Sequence, residues 1–364
     1  MKKILFYINA IHHGGAERVI CNLATRFSEQ GYDCVLVTSF RDEWEYVYGD
    51  GVKRITLFEK KLDTFFLKRN IALVKKLRHV LKSERPDVLV SFMAEPNFRA
   101  IIASIGLKNK VVVSVRNDPD REYPHVSTKM LAKFLFRKAD GIVFQTDDAK
   151  KWFPKPIQRR AEIIFNQVDE VFYCTTYEGV RHDIVTTGRL VAQKNQKMLM
   201  CAFSSIANQV ADNLIIYGEG ELRGDLEALI AKLHMEKRIF LPGSIKNVAE
   251  TIKSAKLFVL SSDYEGMPNA LMEALAVGVP SISTDCPCGG PAMLIEHEKN
   301  GLLVPVGDED ALADAMGRLL TDKEYAESLG AAAKESAKRY MPEKVFSEWE
   351  KFVNKVLENE KKAF

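Results

Sequence analysis

The sequence predicts an α/β protein made of two doubly wound, Rossmann-like domains in succession. Three observations predict it. Strand-like and helix-like segments alternate along the first half. The alternation lapses over 168–182 and then restarts. The chain has 364 residues, long for one domain, so two is the natural count. Alternation of this kind builds a parallel sheet with helices on both faces.

In the first half, strand-like runs fall at 3–9, 33–40, 52–58, 87–92, 110–115, 141–146 and 161–166. Helical spacing fills the gaps. The clearest case is Ala16, Val19, Ile20, Leu23, Ala24 and Phe27, which recur at helical intervals before Gly31 stops the pattern. After the lapse, runs at 183–188, 213–217, 238–241, 257–262, 280–284 and 302–306 read as strands, again separated by helices. The tail from Pro342 presents Val345, Trp349, Phe352, Val353 and Val356 on one helical side. The expected organisation is a first domain over 1–172, a second over 173–340 and a closing helix over 341–364 that packs back on the first. Two such domains would face one another across a cleft, with ligands at the carboxyl ends of the strands.

Composition sets limits. With 46% hydrophobic and 28% charged residues, the chain is an ordinary globular one. No run of eighteen apolar residues occurs, so no transmembrane helix is expected. The N-terminus reads as a first strand rather than a signal peptide. The six cysteines are scattered, and Cys286-Pro-Cys288 lacks the second pair that zinc requires. Reduced cysteines and a cytoplasmic protein are therefore expected. Residues 1–175 carry 30 basic and 21 acidic side chains, a net of +9, and the remainder a net of −6. A basic first half favours an anionic partner. No nucleic-acid motif is present, so nucleic acid is not expected.

The segment richest in chemistry is Glu265-Gly-Met-Pro-Asn-Ala-Leu-Met-Glu273. It follows the strand-like run 257–262. Pro268 suits a first helical turn, and Gly278 with Pro280 ends the helix. Glu265 should therefore sit in a loop at a strand's end and Glu273 on the helix behind it, reaching one ligand at two places. Thr187-Gly-Arg189-Leu-Val-Ala-Gln-Lys194 closes the first strand of the second domain. A solvated basic loop would be the ordinary reading, but a strand's carboxyl end favours anion binding by Arg189 and Lys194. Gly14 and Gly15 precede a helix N-terminus, where amide groups can meet a phosphate.

Other features are weighed and set lower. Gly218-Glu-Gly220 misplaces the third glycine of a dinucleotide fingerprint at Gly224 and reads as a structural turn. Asp118-Pro-Asp120 could hold a divalent metal, but so short a pattern recurs by chance. The basic helix expected over Lys60–Lys82 carries eight Lys or Arg against one Asp. Its apolar side comprises Leu62, Phe65, Phe66, Ile71, Leu73, Val74, Leu77 and Leu81. Together with the basic-apolar stretch Lys129–Lys138, it is a candidate for peripheral contact with an anionic membrane. Simple packing on the sheet is the alternative.

Taken together, the chain resembles the family 4 glycosyltransferases, retaining enzymes of the GT-B fold. Four motifs carry the resemblance in order: Gly-Gly-Ala-Glu at 14–17, Gly-Arg-Leu and the following lysine at 188–194, the Glu265–Glu273 pair, and Gly-Leu-Leu-Val at 301–304. Its look is closest to bacterial transferases that build lipid-linked oligosaccharides or surface polysaccharides. The resemblance implies that the second domain binds a nucleotide-sugar donor, a UDP-sugar, without a metal or other cofactor. Glu273 would accept hydrogen bonds from the ribose, and Arg189 and Lys194 would neutralise the diphosphate. Glu265 would contact the donor sugar. The backbone of Gly266, Met267, Pro268, Asn269, Ala270 and Leu271 would surround sugar and phosphate. Gly243, Ser244 and Ile245 would meet the base, and Gly14 and Gly15 would complete the phosphate cradle. Many relatives place a histidine where this chain has Arg116, which is the candidate to replace it. The acceptor would be a saccharide on a polyprenyl diphosphate at the inner membrane face. A sugar-nucleotide epimerase and an NAD-dependent dehydrogenase built on two such domains are the alternatives.

Overall fold

The computed structural model describes every residue except His13, Leu62, Thr64 and 360–364. The chain divides into two units, Met1–Asn166 with Glu343–Phe364, and Gln167–Pro342.

The first unit is built on a seven-stranded sheet. Its strands are β1 (Lys3–Ile8), β2 (Asp33–Phe40), β3 (Val52–Phe58), β4 (Val88–Phe92), β5 (Lys110–Ser114), β6 (Gly141–Phe144) and β7 (Ala161–Ile163), in the order β3-β2-β1-β4-β5-β6-β7. Every pairing is parallel. The helices α1 (Gly15–Glu29), α2 (Phe66–Glu84), α3 (Ala94–Ser104), α4 (Pro119–Glu122) and α5 (Val126–Leu135) belong to the crossovers. Strands buried on both faces read as continuous apolar runs, as Ile4–Ile8 does. Helix α1 buries Val19, Ile20, Leu23, Ala24 and Phe27, the stripe expected from its spacing.

The stretch 60–82 is not one helix. Phe65 is extended, with φ −50° and ψ 139°, and α2 starts only at Phe66. Its buried stripe is Leu73, Leu77 and Leu81, one residue per turn. Phe65, Phe66 and Ile71 are exposed, so the first part of the stretch has no core to fold onto. Leu62 lies outside the described residues.

The second unit carries β8 (His182–Thr187), β9 (Leu214–Tyr217), β10 (Ile239–Gly243), β11 (Ala255–Leu260), β12 (Ser281–Thr284) and β13 (Leu302–Val304), in the order β10-β9-β8-β11-β12-β13. All of these pairings are parallel as well.

The division falls between 166 and 167 rather than between 172 and 173. Residues 167–172 are tied into the second unit: the Val168 N–H donates to Tyr340 O at 3.0 Å, and the short helix Glu170–Cys174 packs on the helix Asn269–Val277. The closing helix Pro342–Glu358 contributes Val345, Trp349, Phe352, Val353 and Val356 to the core of the first unit, where Trp349 stacks on Phe92 with centroids 5.6 Å apart. These are the residues its apolar periodicity singles out.

Each sheet has one place where the strand order reverses. In the first it lies between β1 and β4, in the second between β8 and β11. At such a point two neighbouring loops diverge to opposite faces, leaving a crevice at the carboxyl edge for a ligand.

Candidate functional site

In the second unit the loops leaving β8 and β11 meet at the reversal point. Asp263 N–H donates to Gln193 O at 2.9 Å, Gln193 Nε2 to Tyr264 O at 2.9 Å, and Asn195 Nδ2 to Asp263 Oδ1 at 2.7 Å. Ser261 Oγ donates to Lys194 O at 3.0 Å. This bracket fixes the backbone on which Lys194 and Glu265 stand. Lys194 Nζ lies 2.5 Å from Glu265 Oε1, and Ser262 Oγ donates to the same oxygen at 2.7 Å. Glu265 is buried. A buried carboxylate needs such partners, because desolvation is otherwise very costly.

The loop after β12 grips the same glutamate by its backbone. Glu265 N–H donates to Pro287 O at 2.6 Å, and Cys288 N–H to Glu265 O at 3.0 Å. Gly290 allows this approach: a Cβ there would lie 1.7 Å from Gly266 O. Burial, and then the charge of Glu265, push the Cys286 thiol up to about 12.

Arg189 contrasts with Lys194. Its side chain is exposed and has no hydrogen-bonding or ionic partner among the described residues, while its carbonyl is held by Gln196 Nε2 at 2.9 Å. A cation at a strand's carboxyl end with no internal partner is available to an external anion.

The helix Asn269–Val277 begins after Pro268, which is the cap residue with extended backbone rather than a member of the first turn. No side chain caps this N-terminus. Its leading amides and the dipole therefore face the loop of Gly266 and Met267, an arrangement suited to negative charge. Leu271 is in the core, Ala270 is half-buried, and Gly278 ends the helix at φ 80°. Glu273 is buried on this helix, away from the loop position of Glu265, as their spacing requires.

Gly243 closes β10 at φ 92°, and its carbonyl accepts from Gly218 N–H at 2.9 Å. Ser244 is exposed and Ile245 half-buried just beyond it. The Gly218 turn has no room for a dinucleotide. A Cβ at Gly218 would lie 1.8 Å from Gly188 O, and one at Gly220 2.3 Å from Leu190 O. These glycines let two loops of the protein touch, so the turn is structural and the dehydrogenase alternative loses its site.

Three candidates lie in the first unit. Gly14 is the cap of α1 and Gly15 its first residue, again with no side-chain cap. Arg116 follows β5 and is turned inward. Its guanidinium donates to Ser114 Oγ at 3.3 Å and to Asn166 Oδ1, and lies 4.4 Å from the Phe92 ring centroid. Gln145 Nε2 donates to the same Asn166 oxygen at 2.6 Å. Burial lowers the Arg116 pKa to about 9. Arg116 ties the end of β5 to Asn166 beyond β7, and Gln145 beyond β6 joins them on the same oxygen, a direction that sequence position does not reveal.

Asp118 and Asp120 are both committed elsewhere. Asp118 Oδ1 accepts from Asp120 N–H at 3.0 Å, and Asp120 pairs with Lys129 at 2.5 Å and with Trp152 Nε1 at 3.1 Å. Among the described residues, no group of three or more His, Cys, Asp or Glu side chains is arranged to hold a metal ion. No described helix is long and apolar enough to cross a membrane.

Sequence reasoning missed the bracket of Gln193, Asn195, Ser261 and Asp263, and Ser262 beside Glu265. The available signal was the polar Ser261-Ser262 pair closing an otherwise apolar strand.

Residues 13–172 match the family model described as Glycosyltransferase Family 4, and residues 179–336 the one described as Glycosyl transferases group 1. A Campylobacter jejuni protein is 28% identical over 98% of this chain and 99% of its own length; its name is GalNAc-alpha-(1->4)-GalNAc-alpha-(1->3)-diNAcBac-PP-undecaprenol alpha-1,4-N-acetyl-D-galactosaminyltransferase. The amylovoran biosynthesis glycosyltransferase AmsD of Erwinia amylovora is 24% identical over 97% of this chain and 100% of its own. Among solved structures, sucrose-phosphate synthase from Thermosynechococcus elongatus superposes with a TM-score of 0.85 at 17% identity, covering 98% of this chain and 99% of that one. HepE from Anabaena, solved with UDP-glucose, gives 0.82 at 17% identity, covering 98% of this chain and 100% of its own.

Proposed function

Because this chain belongs to the family 4 glycosyltransferases and has the GT-B fold, we propose that it is a retaining enzyme moving a hexose or N-acetylhexosamine from a UDP-sugar to a saccharide on a polyprenyl diphosphate. The observation that carries the donor half is the constellation at the second reversal point: exposed Arg189, the Lys194–Glu265 pair and the uncapped helix at Asn269. Departure of a nucleoside diphosphate concentrates negative charge on its oxygens. Fixed cations and amide dipoles lower that barrier because they need no reorganisation. Arg189 meets the diphosphate, Lys194 pairs with Glu265, and Glu265 accepts hydroxyl hydrogen bonds from the sugar. Glu273 takes the ribose. No metal is required in this reading. Retention follows from attack on the face the leaving group departs, the phosphate oxygen taking the acceptor proton.

The acceptor half rests on the named substrate of the Campylobacter relative and on the surface of the first unit. Phe65, just before α2, and Phe66, Leu67 and Ile71 in its first turns are exposed beside Lys68 and Arg69, and α5 exposes Val126, Met130, Leu131 and Phe134 beside Lys129 and Lys133. Apolar side chains for the acyl boundary and cations for anionic headgroups are what peripheral binding needs. These features support a reading in which the enzyme works at the cytoplasmic membrane face.

The test has two arms. A panel of UDP- and GDP-sugars is screened for thermal stabilisation, since a bound donor raises apparent stability by mass action. Transfer is then assayed on a farnesyl-diphosphate-linked N-acetylgalactosaminyl disaccharide. Stabilisation by UDP-sugars and transfer with retained anomeric configuration are expected. No response to any nucleotide sugar overturns the reading, and isomerised donor without acceptor identifies the epimerase instead.

A further inference from the structure

The reversal point of the first sheet, between β1 and β4, carries a second polar assembly that no motif marks. At its centre Arg99 of α3 is 98% buried, being 2% exposed. Its Nε donates to Asn70 Oδ1 of α2 at 2.6 Å. Its Nη1 donates to Asn9 Oδ1, just past β1, at 2.6 Å and to Ser39 Oγ of β2 at 3.4 Å. Its Nη2 donates to Glu95 Oε2, one turn earlier on α3. Ser39 Oγ also donates to Asn9 Oδ1 at 3.1 Å and bonds Tyr7 OH at 2.8 Å. One guanidinium thus ties together the carboxyl ends of β1 and β2 and the helices α2 and α3.

The groups this assembly leaves available are specific. Glu95 keeps its side chain 42% exposed, and its Oε1 has no hydrogen bond among the described residues. The same holds for the amide nitrogen Nδ2 of Asn9, whose Oδ1 is fully used. Arg99 is almost wholly buried and each of its three nitrogens already donates to a protein acceptor, which leaves it badly placed for an external anion, and the Glu95 charge repels one. A carboxylate oxygen that accepts, in the first turn of α3, and an amide that donates, just past β1, both tied to Arg99, match neighbouring hydroxyls on a neutral sugar.

We infer that Glu95 and Asn9 form a sugar-recognition subsite of the first unit, with Arg99 as the positioning residue that aims both. The class of ligand is a neutral hexose or N-acetylhexosamine, the sugar end of the acceptor. This rests on the transferase reading, and it assigns acceptor choice to residues distinct from the donor-binding constellation. The link through Asn70 also fixes the subsite relative to α2, the helix proposed above to rest on the membrane.

The experiment uses the full chain saturated with UDP and a panel of free methyl hexosides and methyl N-acetylhexosaminides, observed by saturation-transfer NMR, with UDP affinity measured in parallel by calorimetry. Wild type should bind at least one glycoside. Glu95→Gln, whose amide oxygen can still accept from Arg99, should weaken that binding at least fivefold while UDP affinity moves less than twofold. Arg99→Lys keeps the charge but cannot form the fork, and should show the same split. Glu265→Gln should leave glycoside binding in place. Three results overturn the inference: no glycoside bound by wild type, equal binding by Glu95→Gln, or a signal lost with Glu265→Gln and kept with Glu95→Gln. Absence of UDP binding with glycoside binding intact would instead sink the donor assignment and leave this subsite standing.

Discussion

Lys194 Nζ and Glu265 Oε1 are 2.5 Å apart, joined across 71 positions of sequence. The side chains are 16% and 8% exposed, so the pair is largely shielded from solvent. Removing one partner of such a pair strands a charge and costs about 3–5 kcal/mol. Lys194→Met should lower the denaturant midpoint clearly and abolish transfer. The double variant Lys194→Met with Glu265→Gln should regain part of the stability, because no lone charge remains, and none of the activity. A double variant no more stable than Lys194→Met shows that the two groups are not energetically coupled.

Arg189 sits on the same loop and should behave oppositely. With no internal partner, Arg189→Ala should change stability by about 0.5 kcal/mol or less. Its kcat/KM for the UDP-sugar should fall at least tenfold, about 1.4 kcal/mol of lost transition-state stabilisation. A destabilised Arg189→Ala, or one with near-wild-type kcat/KM, contradicts the assignment of its guanidinium to the departing diphosphate.

Glu273→Ala should act on binding. The residue is buried on the helix behind the loop, and losing a charged hydrogen-bond partner costs about 1.5–3 kcal/mol. A donor KM raised by at least tenfold, with kcat changed much less, is the expected pattern. An unchanged KM would remove Glu273 from the ribose.

These contrasts show what the amino-acid sequence makes legible. Both parallel sheets, the placement of Glu265 in a loop and Glu273 on a helix, and the strand-end position of Arg189 all follow from local periodicity and punctuation. Side-chain direction does not. Arg116 turns inward to Asn166, 50 positions away, and Arg99 reaches Asn9 across 90. Such partners become neighbours only once strand order is known, and strand order is a property of the assembled sheet. The late start of α2 has the same origin, since Phe65 and Phe66 look like core residues until it is seen that no core lies beneath them.

Gly290→Ala should be severe for a geometric reason. The added Cβ would lie 1.7 Å from Gly266 O and 3.1 Å from Pro268 Cδ. The first contact is with backbone, which cannot rotate away, so the loop carrying Gly266 must shift. Overpacking of this kind costs about 1–3 kcal/mol, and the shift displaces the backbone next to Glu265. UDP affinity should fall at least tenfold along with the loss of stability. Calorimetry that finds wild-type UDP affinity in a folded Gly290→Ala protein would show that this loop does not shape the donor site.

Glu122 gives the chain a pH signature separate from the donor site. It ends α4, where its Oε2 is buried with no hydrogen-bond partner among the described residues. Burial pushes its carboxyl from 4.5 up to about 8, against the opposing pull of the Arg116 backbone amide and charge. Between those two values the folded chain holds a proton that the unfolded chain has released. Stability therefore falls as pH rises through this window: the contribution is complete below 4.5 and lost above 8. Carboxyls held low by ion pairs, such as Glu84 beside Lys53 and Lys3, have the opposite sign, and their contribution is lost only as pH falls below the ordinary carboxylate range. Urea midpoints measured at pH 5, 6.5 and 8 should decline for wild type relative to Glu122→Gln, whose neutral amide cannot ionise. A constant difference between the two proteins across this range would mean that Glu122 is already ionised in the fold at pH 5.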